Sequence, residues 1–285
     1  MNRQDFRFFE RLRVRWAEVD MQKIVFNGHY LTYFDTAVAG YWRALALPYH
    51  ETMQTLNGDL FVRKATLEYQ GSARYDDICD VGIRSGRFGT SSMVFECALF
   101  RGERRLVHGE LVYVFADPAS QTSRPIPPEL RTVLQAYEDR QAMLDVRVGG
   151  WEQFGRAAQA IRRAVFIDEQ KIPEALEWDA ADADALHAVA YNRFDVPLAT
   201  GRLIEHGAGV AQIGRMAVAP SMRGSGIGQR VLQALMQAAG ERGHREILLH
   251  AQSNAVGFYK RHGFATRGAT FDEAGISHQA MVKAL

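Results

Sequence analysis

Hydrophobic residues in the first half of the chain follow two different spacings. Between His29 and Leu47 they recur every three to four positions, which predicts a long helix, and the few polar residues between them predict burial on most sides. Pro48 would end this helix. Shorter stretches rich in Val, Ile, Phe and Leu, separated by turn-forming residues, predict strands. The predicted strands are Phe6–Trp16, at a sheet edge, followed by Phe61–Tyr69, Ile78–Gly86, Ser91–Arg101 and Arg105–Ala116.

One long helix followed by four consecutive strands favours an α+β domain, in which an antiparallel sheet wraps on the helix. The segment Asp117–Pro128 then holds four of the eight prolines and marks the end of this domain, and Pro128 can open a short helix, Glu129–Tyr137. We place the boundary near residues 138–148. The predicted domains therefore span residues 1–138 and 146–285.

The second half alternates between predicted helices and strands, which favours an α/β domain with a mixed sheet. Gly226–Arg242 is the clearest element, because its apolar residues share one face of an amphipathic helix. Phe154–Ile167 and Ala255–His262 are further helix candidates, and Gly263 is a natural left-handed cap for the latter. The predicted strands are His187–Asn192, Ala199–Glu205, Ala211–Val218 and Glu246–Ala251.

Composition narrows the class of protein. The 285 residues carry 34 Lys+Arg against 33 Asp+Glu, which argues against a nucleic-acid binder that works by neutralising phosphates. Two cysteines exclude a disulfide scaffold and suit a reducing, cytoplasmic environment. No apolar run is long enough to predict a membrane span. The nine histidines lack the spacing of metal ligands, so we expect no metal site.

A glycine-rich turn follows the predicted strand Ala211–Val218 and leads into the helix at Gly226. Glycines let backbone N–H groups point at phosphate oxygens without a side-chain clash, and the helix start adds free donors and the positive end of the dipole. Arg223 can add a charge-assisted contact. The spacing matches neither the Walker A loop nor the dinucleotide fingerprint, so an ordinary strand-to-helix turn is the alternative. The turn reads Arg223-Gly224-Ser225-Gly226-Ile227-Gly228.

The run from Ile213 to Gly228 resembles the acetyl-CoA-binding segment of the GNAT N-acetyltransferases. A second run, from Ala255 to Phe264, is similar to the family's second cofactor segment. The resemblance covers roughly residues 145–285. It implies that the C-terminal domain binds acetyl-CoA or another acyl-CoA and transfers the acyl group to an amine.

The same resemblance implies roles for individual residues. Backbone groups of Met216 and Val218 would hold the pantetheine arm, and the amides from Arg223 to Gly228 would hold the pyrophosphate. Tyr259 matches the tyrosine that often protonates the departing coenzyme A thiolate, a role that suits a phenol with a pKa of about 10.

The sequence leaves two points about the C-terminal domain undecided, the second contact to the cofactor and the general base. Seven residues before Tyr259, where the family often has Asn, the chain has Gln252, and Asn254 falls two residues later, so either can contact the cofactor. A stretch beginning at Val165 looks like one bacterial subgroup of these transferases and would shape the acceptor pocket. Five residues are candidate general bases for the amine, although each can instead be a solvated or structural charge. They are Asp168, Glu169, Glu177, Asp179 and His187.

A carboxylate, Asp20, lies between the first predicted strand and the long helix. At such a hinge a carboxylate can sit beside free N–H groups of the helix start, where amides bind an oxyanion and the carboxylate attacks a carbonyl or activates water. Asn27 and Gly28, near the helix start, would allow close approach of a ligand. The alternative is that Asp20 is a loop charge and Asn27 a helix cap.

The runs Arg15–Met21 and Val25–Leu31, together with Phe61–Tyr69, resemble the hot-dog-fold acyl-CoA thioesterases of the 4-hydroxybenzoyl-CoA thioesterase type. The resemblance covers about residues 6–135, and Asp20 matches the family's catalytic aspartate. It also implies a homodimer or higher homo-oligomer, in which Asp20 of one subunit faces the helix start of the other. His29 is displaced by two positions from the family's usual histidine, so we give it no catalytic role.

We therefore expect a bifunctional cytoplasmic enzyme, an acyl-CoA thioesterase fused to an N-acyltransferase. Its partners would be an acyl-CoA thioester and an amine, with no nucleic acid or membrane. The alternative is that one domain is catalytically silent and acts as an acyl-CoA sensor or a dimerisation module.

Overall fold

In a computed structural model that describes residues 1–285, the chain forms two units, Met1–Met143 and Leu144–Leu285. One five-stranded sheet and one seven-stranded sheet form their frameworks. No helix is both long and apolar enough to span a bilayer.

The N-terminal unit is an antiparallel sheet with one long helix. Its strands are β1 (Phe8–Arg13), β2 (Asp59–Tyr69), β3 (Ile78–Phe88), β4 (Ser92–Arg101) and β5 (Arg104–Ala116), and its helices are α1 (His29–Ala44), α2 (Tyr49–Thr55) and α3 (Pro128–Glu138). All neighbouring strands are antiparallel, in the order β1-β3-β4-β5-β2. The predicted α+β architecture is confirmed, with β1 at an edge. Helix α2 was not predicted.

Helix α1 packs on the sheet through aromatic side chains. Tyr41 meets Phe95 of β4 edge-on, at a ring-centroid distance of 5.6 Å, and it meets Tyr137 of α3 in the same way at 5.2 Å. Eight of the sixteen helix residues are buried, and the opposite face is open in the single chain, so the prediction of burial on most sides is wrong. The helix also ends at Ala44 instead of Leu47, because Ala46 has a left-handed φ of 57° that no α-helix can continue.

The C-terminal unit is a mixed sheet with helices. Its strands are β6 (Asp145–Gly149), β7 (Leu186–Tyr191), β8 (Pro197–Gly207), β9 (Val210–Val218), β10 (Glu246–Gln252), β11 (Ala265–Glu273) and β12 (Ile276–Ala284), and its helices are α4 (Trp151–Arg162), α5 (Glu174–Glu177), α6 (Ile227–Glu241) and α7 (Val256–Arg261). The order is β11-β12-β10-β9-β8-β7-β6, and only β9 and β10 run parallel. The mixed sheet is confirmed. Strands β6, β11 and β12 were not predicted.

Helices α4 and α6 cover opposite faces of this sheet. Val189 and Ala217 pack against α4, whereas a Cβ at Gly201 would touch Val231 and Leu235 of α6. Val189 and Gly201 stand one register position apart on paired strands, so their side chains point to opposite faces. Helix α4 continues without a break into a π-helical turn, residues 163–169, a rare form that is frequent at functional sites.

Candidate functional site

The two parallel strands of the C-terminal unit separate halfway along their length. Their last paired residues are Ile213 on β9 and Leu249 on β10. Beyond that point β9 pairs only with β8, up to Val218, and β10 pairs only with β12, up to Gln252. Backbone groups on the inner edges of this wedge therefore lack a strand partner and are available to a ligand.

A cavity of about 380 Å³ lies at this wedge. Three of the predicted site residues, Met216, Gln252 and Tyr259, line it together. Val218, the turn from Arg223 to Gly228 and Asn254 lie outside the lining. Of the two amide side chains left open by the sequence, Gln252 is thus the one that faces the cavity, and it bonds to Gln170 at 2.9 Å, while Asn254 is exposed.

The glycine-rich turn has the backbone that an anion requires. Gly224 and Gly226 both have φ of 81°, and a Cβ at either position would meet no atom within 4 Å, so the concave side is open. Helix α6 begins directly after Gly226 with no side-chain cap. Its first N–H groups have no partner within the helix, which makes this end a fit for phosphate oxygens. The Ser225 hydroxyl is turned back and donates to the Met222 carbonyl at 2.5 Å.

Arg223 is held by a carboxylate from the π-helical turn. Its Nη1 and Nη2 atoms donate to the two oxygens of Glu169 at 2.7 and 2.5 Å. This pairing lowers the pKa of Glu169 and raises that of Arg223. The Arg223 guanidinium is already paired with both carboxylate oxygens of Glu169. A phosphate would therefore have to replace Glu169 to bind Arg223.

Tyr259 is buried between Phe258 and Phe264, at ring-centroid distances of 5.0 and 5.8 Å. Burial raises the pKa of its phenol to about 12. An alkyl thiol has a pKa of about 8.5, so complete proton transfer from this phenol to a thiolate would be uphill by about 5 kcal/mol. The phenol therefore fits a hydrogen-bond donor to sulfur better than the matched proton donor that the sequence suggested.

Each of the five candidate general bases is either bound to another residue of the chain or lies outside the cavity lining. Asp168 is exposed and outside the cavity lining, and Glu169 pairs with Arg223. His187 is buried, donates from Nε2 to the Asp182 carbonyl at 3.0 Å, and has its pKa lowered by burial. Glu177 and Asp179 belong to a charge network that the sequence analysis missed.

This network joins Arg162, Arg202 and Arg215 to Glu177, Asp179 and Asp182. Arg162, which is fully buried, donates to Glu177 at 2.5 Å and to Asp182 at 2.7 Å. Burial outweighs the guanidinium of Arg162 and raises the pKa of Glu177. For Asp182, Arg162 and Arg202 outweigh burial and lower the pKa. Glu177, Arg202 and Arg215 line the cavity, so the network forms one of its walls.

Asp20 lies in a tight hairpin loop of the N-terminal unit. Val19 and Val25 form a bridge, the Asp20 N–H donates to the Ile24 carbonyl, and the Lys23 N–H donates to the Asp20 carbonyl. Oδ1 of Asp20 accepts the Gln22 N–H at 2.8 Å, and no hydrogen bond is made to Oδ2. One carboxylate oxygen is therefore fixed and the other is available.

A second carboxylate, Glu18, which the sequence analysis passed over, fixes the base of this loop. It is 4% exposed. It accepts the Tyr33 hydroxyl at 2.6 Å, the Arg15 N–H at 2.7 Å and the Arg15 Nε at 2.6 Å. Burial alone would raise the pKa of Glu18, but these bonds from Tyr33 and Arg15 outweigh it and lower the pKa. The Glu18 carbonyl also accepts the Phe26 N–H, which closes the loop.

Gly28 occupies the N-cap position of α1, so no side chain bonds to the first N–H groups of the helix. Asn27 is exposed, and its carbonyl, not its side chain, accepts a bond from the Tyr69 hydroxyl at 3.2 Å. Large apolar side chains are exposed in the same loop, with Trp16 at 74% and Phe26 at 50%. The helix start and the Asp20 loop are thus both accessible from solvent in the single chain. Throughout the chain, no group of three or more His, Cys, Asp or Glu residues could hold a metal ion.

The two folds define a protein with an N-terminal hot-dog domain and a C-terminal GNAT domain. The chain belongs to the GNAT acetyltransferases, whose domain model matches residues 135–285, and it also carries a domain of the thioesterase superfamily, matched over residues 22–108. The suspected fusion is confirmed. Asp20 lies two positions before the matched thioesterase range.

Known proteins resemble each half separately. An uncharacterized N-acetyltransferase of Bacillus subtilis, YjcF, is 35% identical over 124 residues, which cover 43% of this chain and 87% of that protein. The acyl-CoA thioester hydrolase YbgC of Escherichia coli O6:H1 is 26% identical over 123 residues, covering 42% and 89%. Among solved structures, Escherichia coli ElaA is 23% identical with a TM-score of 0.46, covering 50% of this chain and 99% of that one.

Proposed function

We propose that the C-terminal unit transfers an acetyl or other acyl group from coenzyme A to an amine. The wedge between β9 and β10 carries this proposal, because it gathers Met216, Gln252 and Tyr259 around one cavity. Backbone and side-chain groups around that cavity are suited to bind an acyl-CoA. The inner edge of β9 offers free backbone donors and acceptors to the amide groups of a pantetheine arm, as a further strand would use them.

Each residue then has a distinct task. Amides from Gly224 to Gly228 hold the pyrophosphate at the start of α6, and Arg223 exchanges Glu169 for a phosphate oxygen. Tyr259 donates a hydrogen bond to the sulfur as the C–S bond breaks, which stabilises the charge that develops there.

We also propose that the N-terminal unit hydrolyses an acyl-CoA thioester through Asp20. Oδ2 of Asp20 is free to attack the carbonyl carbon or to activate a water molecule. Amides at the start of α1, which has no side-chain cap, would bind the oxyanion beside Asn27 and Gly28. The resemblance to the hot-dog thioesterases implies a dimer, and we propose a homodimer in which the two parts come from different subunits.

Exposed apolar side chains around the Asp20 loop support the proposed homodimer. Trp16, Met21 and Phe26 expose between 50% and 101% of their surface in the single chain, and Tyr75 packs edge-on against Trp16. Large apolar residues clustered in this way mark interaction surfaces or ligand-binding grooves. A partner subunit and an acyl chain would both cover them.

Thiol release from a panel of short, long and aromatic acyl-CoAs tests both proposals. Release without an amine, lowered at least about 100-fold in Asp20→Asn, supports the hydrolase. Asp139→Asn, an exposed aspartate of the same unit, is the matched control and should leave the rate unchanged. Amine-dependent release supports the transferase. A unit that binds acyl-CoA without either activity would favour the sensor or dimerisation alternative.

A further inference from the structure

One side chain that lines the C-terminal cavity, His278, has no task in the transferase scheme. On three adjacent strands, Gln252 of β10 lies opposite His278 of β12, which lies opposite Phe271 of β11. Directly opposed residues point to the same face of a sheet. His278 and Gln252 both line the cavity. The histidine is thus one strand away from Gln252, which lines the same cavity as Tyr259.

The imidazole of His278 is held in one tautomer. Its Nδ1 lies 2.7 Å from the Ile276 carbonyl oxygen, and because a carbonyl only accepts, Nδ1 carries the proton. In the neutral ring, Nε2 therefore keeps a lone pair. The ring also stacks on Phe271, with centroids 6.0 Å apart and planes inclined by 24°, which fixes its orientation. A nitrogen base in a fixed orientation is the group that an amine acceptor needs.

Two other titratable side chains of the cavity, Glu177 and His250, are placed less well for this task. Glu177 is tied to Arg162 and lies 3.4 Å from Arg215. His250 lies 3.6 Å from Glu273, and it stands opposite Ala280, two residues before Gln252. Two residues of a strand span about 7 Å, so His250 is that much farther from the end of β10 that leads to Tyr259.

We infer that His278 is the general base of amine acylation in the C-terminal unit, an inference that rests on the proposed transferase activity. As the amine nitrogen attacks the thioester carbonyl, the N–C bond forms and the C–S bond breaks. Nε2 of His278 takes the proton that the nitrogen loses. The sulfur leaves with the C–S electron pair as a thiolate, which Tyr259 stabilises and solvent protonates, and His278 returns its proton to solvent.

The kinetic test uses the full chain carrying Asp20→Asn, so that hydrolysis does not obscure transfer. Acetyl-CoA is the donor, and primary amines of decreasing basicity are the acceptors. His278→Gln should lower kcat by about 100-fold or more and leave acetyl-CoA affinity unchanged. His250→Gln should change kcat by less than about threefold, and a larger loss in His250→Gln than in His278→Gln would overturn the assignment.

A second measurement does not depend on finding an acceptor. Two-bond ¹H–¹⁵N correlation spectra of the histidine rings, with His278 identified by its absence from His278→Gln, should show the Nδ1–H tautomer at neutral pH. An Nε2–H tautomer would rule out His278 as the base, whatever the activity. If wild type acetylates none of the amines, the transferase proposal fails, and this spectrum separates that failure from a failure of the His278 assignment.

Discussion

Arg162→Ala measures how much the C-terminal unit depends on its buried charge network. The side chain is 1% exposed and holds two carboxylates that are also buried, Glu177 and Asp182. After the substitution Asp182 keeps Arg202 at 2.9 Å, but Glu177 keeps only Arg215 at 3.4 Å. Breaking a buried pair from one side costs about 3–5 kcal/mol, because the remaining charge is uncompensated. Since each carboxylate keeps a second partner, we expect the lower end, about 3 kcal/mol.

That free energy converts into a melting temperature. A unit of about 140 residues unfolds with an entropy near 0.3 kcal/mol/K, at roughly 2.1 cal/mol/K for each residue. Arg162→Ala should therefore lower Tm by about 10 °C. Differential scanning calorimetry of the full chain would show this. The C-terminal transition is the one whose upward shift on adding coenzyme A is lost in Gly226→Val.

The next residue along the chain supplies the control. Arg163 pairs with Glu174, and both side chains are about half exposed. An exposed pair contributes at most about 1 kcal/mol, so Arg163→Ala should lower Tm by about 3 °C or less. Equal shifts for the two alanine variants would refute the claim that the buried network carries the stability of this unit.

Three further outcomes follow from individual contacts. Tyr259→Phe should lower amine-dependent thiol release by about 10- to 100-fold, the worth of one hydrogen bond to a charged atom, with acetyl-CoA binding unchanged; an unaltered rate would exclude the donor role. Glu169→Gln should tighten coenzyme A binding up to about fivefold by calorimetric titration, because it frees Arg223 from an exposed pair, and weaker binding would contradict the exchange. Hydrogen bonds from Arg11 outweigh burial and lower the pKa of Asp80, so its ionised form stabilises the N-terminal unit above pH of about 4 and this contribution is lost as the pH falls further. Asp80→Asn should flatten the acid side of a plot of Tm against pH, and an unchanged slope would count against it.

Local patterns were sufficient to predict the fold class of both units, although not every strand. The helical spacing from His29 onward and the amphipathic stretch after Gly226 are properties of short segments, and they became α1 and α6. The turn at Gly224 and Gly226 could also be predicted, because a positive φ angle favours glycine and glycine is visible in the sequence.

What the sequence concealed depends on partners that are distant in the chain or on exposure to solvent. Nearly every residue of β11 is exposed, so the strand has no alternation of apolar and polar residues to detect, and His278 on its partner β12 went unnoticed. Arg162 meets Glu177 and Asp182 only after the π-helical turn and the following loops have folded. No local rule marks those charges as a buried network.

The central claim is that one chain carries two separable acyl-CoA activities. Thiol release from one acyl-CoA, with and without an amine, would be compared among wild type, Asp20→Asn, Gly226→Val and the double variant. Valine at a φ of 81° strains the turn that we propose binds the pyrophosphate. We predict that Asp20→Asn removes only the amine-independent release, that Gly226→Val removes only the amine-dependent release, and that the double variant lacks both. Loss of both activities in Asp20→Asn, or of neither, would contradict this account.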